Sequence, residues 1–151
     1  MRKLCGAPAV LCVAGAMLYA QAMLSNSDVI KMANAGLSDD FITNLVDQQG
    51  SHLASDVASL IEMRQGGVNE RILTAIVKRA PSQEPFNGDS VLRLVQAQFT
   101  DDFIANLIMS HPGQFSASGA RIVELKQAGV SERLLSLMVG ESRSRTLPSG
   151  T

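Results

Sequence analysis

GLSDDFITNLV, residues Gly36–Val46, returns as QFTDDFIANLI, residues Gln98–Ile108, and in each copy a paired aspartate stands directly before Phe-Ile. Two carboxylates side by side can serve acid–base chemistry, but only where the surroundings raise the pKa of one of them. The neighbouring residues point instead to a helix start. Gly36 suits the left-handed residue that closes a preceding helix, Leu37 the apolar residue beyond it, and Ser38 the N-cap whose oxygen accepts from a free backbone N–H. Asp39 and Asp40 then fall in the first helical turn, where the helix dipole favours a carboxylate by a few tenths to about 1 kcal/mol. The same grammar is met in Gly67-Val68-Asn69-Glu70, in Gln98-Phe99-Thr100-Asp101 and in Gly129-Val130-Ser131-Glu132. Gln98 is the exception. It stands where the pattern asks for Gly, so it is expected in a left-handed conformation at a cost of roughly 1 kcal/mol.

A shift of about 62 residues aligns Asp28–Val77 with Ser90–Val139 without a gap, with roughly 17 identities in about 50 positions, and marks an internal duplication. A weaker echo about 31 residues on, seen in the successive Gly-apolar-cap turns, makes the elementary unit a helix, a tight turn and a second helix. Apolar residues keep helical spacing in Phe41, Ile42, Leu45 and Val46, in Val57, Leu60 and Ile61, and in Ile72, Leu73, Ile76 and Val77. No window alternates with the period of a strand. The expected fold is all-α: two duplicated lobes of short helical hairpins, stacked like a solenoid or paired as four-helix lobes. Helices this short are unstable alone, so each must be held by packing its stripe against others.

The outer segments read differently. Arg2 and Lys3 precede an apolar run from Leu4 to Leu18, followed by the small-x-small pattern Ala20-Gln21-Ala22. This predicts a signal peptide over residues 1–22, cleaved after Ala22, and a periplasmic or secreted protein. The run is shorter than the roughly 20 residues a spanning helix needs, so no stable membrane span is expected after cleavage. Residues 23–80 form the first helical repeat and 89–140 the second. Between them Pro81 and Pro85 mark a linker at 81–88, and 141–151, rich in Ser and Arg, reads as a flexible tail.

Both cysteines, Cys5 and Cys12, lie in the predicted signal, which leaves the rest of the chain without a thiol for a disulfide, a metal or nucleophilic catalysis. Losing Arg2 and Lys3 from 13 basic residues against 14 acidic takes the net charge from −1 to about −3. That acidity, with no basic block in the repeats and no Trp, argues against a nucleic-acid partner. His52 and His111 do not share a repeat slot, and neither belongs to a zinc-type motif. No catalytic, cofactor-binding or metal residue is assigned. What remains is the longest loop of each half, Gln48 to Leu53 and Ser110 to Phe115. Leu53 and Phe115 share a slot and are expected to anchor the loops. Residues in which the two loops differ, Gln48, Gln49 and His52 in one and His111, Pro112 and Gln114 in the other, are the candidate partner-binding set.

DVIKMANAGLSDDFITNLV followed by IEMRQGGVNERILTAIV resembles a tandem helical motif of exported bacterial proteins of unassigned function, of the type DVIxMxxxGLxxxxI, a loop, then LKxAGVxxxVLxxM. The second half carries the resemblance through Gly113, Phe115, Ser118, Lys126, Gly129 and Met138. It implies an exported helical-repeat fold and no particular activity. The functional expectation is a non-enzymatic scaffold that binds another protein or itself. The alternative is an envelope enzyme, hydrolase-like or metal-dependent, whose site the sequence does not display.

Overall fold

The computed structural model describes residues 23–111, 113–115 and 118–146, with side chains as far as residue 142. Residues 1–22, the expected signal peptide, and Pro112 lie outside the described residues. The fold is all-α, built of α1 (Asn26–Asn34), α2 (Asp39–Gln49), α3 (Val57–Gln65), α4 (Glu70–Arg79), α5 (Gly88–Gln96), α6 (Asp101–Ser110), α7 (Gly119–Gln127) and α8 (Glu132–Thr146). A short 3-10 turn, Gly50–His52, follows α2.

Four of the helix junctions have the same construction. Gly36, Gly67, Gln98 and Gly129 have φ of 78°, 89°, 62° and 98°. At each, the N–H of that residue and of the next donate to carbonyls of the closing turn, as in Gly36 N–H to Ala33 O and Leu37 N–H to Met32 O. This Schellman pattern consumes carbonyls that a helix end otherwise leaves unpaired. Gln98 adopts the left-handed conformation expected of it and makes the same two bonds. The caps follow at once: the Ser38, Thr100 and Ser131 hydroxyls accept from the N–H of Phe41, Phe103 and Leu134, and the Asn69 side chain from Arg71.

The helices pack into one continuous core that crosses the midpoint of the chain. α2 lies on α4 and α6 on α8, while α3 contacts α1, α4 and α5. Ile72, Leu73 and Ile76 of α4 are fully buried, as are Leu94, Ile104, Ile108 and Leu134 in the second half. Each such side chain contributes about 1.5–3 kcal/mol on removal from water, which is what holds helices of nine to fifteen residues together. Phe41 departs from the expected apolar stripe: it is 54% exposed, because no element of the described chain covers that face of α2.

The segment read as a linker is partly structural. Phe86–Asn87 pairs in parallel with Gly113–Gln114 as a two-residue β1 and β2, and Phe86 is buried. Period-two reasoning cannot detect strands of two residues. Gly113 is required here, since a Cβ would stand 2.9 Å from the Phe86 carbonyl oxygen and would strike the Phe115 ring. At the other end, α8 runs past Gly140 to Thr146, so part of the predicted tail is helical.

Candidate interaction site

The loop of the first half is held at three points. Leu53 is buried, the Asn26 amide exchanges two hydrogen bonds with the Ala54 backbone at 3.0 and 3.1 Å, and the Ser55 hydroxyl donates to the Ala80 carbonyl. Asp56 then caps α3 through the N–H and hydroxyl of Ser59. Burial alone would raise the Asp56 pKa, but these two donors, with the backbone N–H groups of Asp56 and Ala58, outweigh it and the carboxyl titrates below its ordinary value. His52 is exposed at the rim of this segment and faces an open groove of about 520 Å³, with Asp56, Arg79 and Glu84 among its other walls. Gln48 and Gln49 are exposed but belong to the last turn of α2 rather than to a loop.

The second half differs. His111 is only 5% exposed: its Nδ1 lies 3.2 Å from the Leu107 carbonyl and its ring stands 6.1 Å from that of Phe86. Its candidacy as a surface contact is therefore corrected. The ring forms part of the wall that closes over Phe86, together with Phe115, which meets Phe86 edge to face. The signal for this was Phe86 itself, an aromatic in a stretch whose prolines invited a solvated-linker reading. Gln114 is exposed on β2 and lines a separate cleft of about 240 Å³ with Asp89 and Arg121. Arg121 bridges Asp89 and Glu124, and these two carboxylates, Glu124 first, raise its pKa above the ordinary value. The two grooves have no lining residue in common, so His52 and Gln114 face different depressions, and Gln48 and Gln49 line neither of them.

The acidic residues of the opening motif stand in the first turn of their helices, behind the Ser38 and Thr100 caps, and Asp39, Asp40 and Asp102 also reach to the next turn. Asp39 accepts from the Asn69 amide at 2.8 Å, Asp40 pairs with Arg71 at 2.6 Å, and Asp102 with Arg133 at 2.6 Å. Glu70 accepts from the N–H and hydroxyl of Thr100 at 2.9 and 2.6 Å. Each turn is thus tied to its successor about 31 residues on. Capping was legible in the sequence; the ties were not, because they join residues through the stacking of turns.

Among the described residues there is no group of three His, Cys, Asp or Glu able to hold a metal ion, and no helix is long and apolar enough to cross a membrane. No family model, curated protein or solved structure matches this chain.

Proposed function

We propose that this is an exported, non-enzymatic helical-repeat protein in which two duplicated lobes, stacked in the manner of a solenoid, form a scaffold for another envelope protein or for a further copy of itself. The observation that carries the reading is the use made of the turn carboxylates. Asp39, Asp40, Glu70 and Asp102 are engaged by the adjoining turn. A frame of this kind, with repeated turns tied in series, suits display of a surface more than gathering of reactive groups in one cleft. The open groove beside His52 supports the same reading, since it is a shallow depression rather than an enclosed pocket.

The test uses the exposed candidates. Gln48, Gln49, His52 and Gln114 are changed together to Ala, and capture of proteins from an envelope extract is compared with the unaltered chain. Surface changes of this kind shift stability by about 0.5 kcal/mol or less each, so the melting temperature should hardly move. Capture should fall. Retention at full strength would remove these residues from the binding surface. Export is tested by mass spectrometry of the native protein: an N-terminus at or near Met23 is expected, and one that retains Arg2 and Lys3 overturns it.

A further inference from the structure

The joint between the two halves has a set of parts whose counterparts stand unused at the two ends of the molecule. At the joint, Phe99 and Phe103 stack with centroids 4.9 Å apart and are 6% and 4% exposed. Arg64 lies over the Phe99 ring at 5.8 Å and is 3.8 Å from Glu70, which in turn accepts both hydrogen bonds from Thr100. The first half therefore supplies a basic–acidic pair, and the second half an apolar pair flanking a hydroxyl cap.

The repeat shift carries these slots to the ends. The slots of Phe99, Thr100 and Phe103 become Leu37, Ser38 and Phe41, of which Leu37 is 42% and Phe41 54% exposed. The slots of Arg64 and Glu70 become Lys126 and Glu132, paired at 3.2 Å with side chains 52% and 83% exposed, against 36% and 17% at the joint. Ile61 of α3, which packs against the core, becomes Val123 of α7, which is 56% exposed. One end offers the socket of the joint and the other its plug.

We propose that copies of this chain associate head to tail, with the Lys126–Glu132 end of one copy seated on Leu37, Ser38 and Phe41 of the next. The inference rests on the scaffold reading and names its partner as a second copy. Glu132 then accepts from the N–H and hydroxyl of Ser38 as Glu70 does from Thr100. Lys126 and Val123 cover Leu37 and Phe41. The replacement of Phe99 by Leu37 removes the cation–π contact, so this contact is weaker than the internal joint. Because its two faces are different surfaces, the contact is heterologous: it does not end at a dimer but continues into a ring or an open chain.

The experiment is light scattering and sedimentation of the full chain over a wide concentration range, with Phe41→Asp and Glu132→Lys as single variants. Both positions are exposed, so circular dichroism melts at high dilution should lie close to those of the unaltered chain, with Glu132→Lys slightly lower for the loss of its first-turn carboxylate; Leu37→Ser and Lys126→Glu serve as second choices if either fails to fold. The unaltered chain is expected to grow beyond dimers as concentration rises, and each variant alone to remain monomeric. Mixing the two variants should give a 1:1 dimer that grows no further, since each retains the end the other has lost. A chain that is monomeric at every concentration overturns the inference. Association that survives both variants, or a mixture that stays monomeric, overturns it too. Loss of envelope-protein capture in the groove variants would still stand in those cases, so failure of this contact is distinguishable from failure of the scaffold reading.

Discussion

The turns at Gly36 and Gln98 carry nearly the same residues and nearly the same hydrogen bonds, yet one is a surface and the other an interior. Both close a helix with a left-handed residue and open the next through a hydroxyl cap and an aspartate pair. At Gln98 the preceding turn brings Arg64 over the Phe99 ring and Glu70 onto Thr100; at Gly36 no described turn precedes, and Leu37 and Phe41 face outward. Local sequence decides how the chain bends. What lies beside the bend decides which side chains contribute to stability.

The comparison is broken most directly at the aromatic ring. Phe103→Ala should cost about 3–5 kcal/mol in denaturant unfolding, whereas Phe41→Ala at high dilution should cost less than about 1 kcal/mol. Equal losses would show that the Phe41 ring is covered in the dilute chain. The acidic slot gives the next contrast. Glu70→Gln leaves the Thr100 donors imperfectly matched and should cost about 1–2 kcal/mol, while Glu132→Gln, which gives up an exposed first-turn carboxylate and its pair with Lys126, should cost only a few tenths of a kcal/mol, about 0.5 or less, in the monomer. A loss at Glu132 as large as that at Glu70 would mean that Glu132 makes a contact in the monomer beyond its exposed pair with Lys126.

Backbone strain separates the same turns by a smaller amount. Gln98→Gly should stabilise by about 1 kcal/mol, and Gly36→Ala should destabilise by a similar amount although a Cβ there meets nothing within 4 Å. The cost at Gly36 is then conformational alone, and a thermal melt reads both signs. A fall in melting temperature for Gln98→Gly would show that its side chain contributes more than its φ costs.

The smallest effect concerns the helices that enter these turns. α1 opens with a capping box of Ser25 and Asp28, and α5 with one of Asn87 and Ser90, which does not titrate. Hydrogen bonds from the Ser25 hydroxyl, then from its backbone N–H, lower the Asp28 pKa. A depressed carboxylate stabilises above its unfolded value of about 3.9 and ceases to do so as pH falls through its folded value. Amide exchange in the first turn of α1 should therefore quicken as pH drops below about 4, relative to α5, once intrinsic exchange is allowed for. Parallel behaviour of the two helices would mean that the Asp28 bonds do not hold that turn.

Much of the frame was legible. Gly36, Gly67 and Gly129, the caps at Ser38, Asn69, Thr100 and Ser131, and even the forced conformation of Gln98 follow from residues within a few positions of one another. The anchors Leu53 and Phe115 were legible for the same reason, as apolar residues closing a polar loop. His111 was not: its burial depends on Phe86, some 25 residues away, which reaches it only through the β1–β2 pairing. The separation of His52 from Gln114 was equally hidden, since it depends on residues 79–84 walling the first groove while Pro85 belongs to the second.

By itself the sequence determined the helices, their turns and their caps, because these are settled by steric limits on φ and by hydrogen bonds spanning three to five residues. Only the tertiary structure decided that Asp39 and Glu70 tie one turn to another, that Phe103 is core and Phe41 surface, and that Glu70 meets Thr100 across the middle of the chain. The reason is that burial and ion pairing belong to pairs of surfaces. Two stretches with the same residues have the same preferences, but they meet different neighbours.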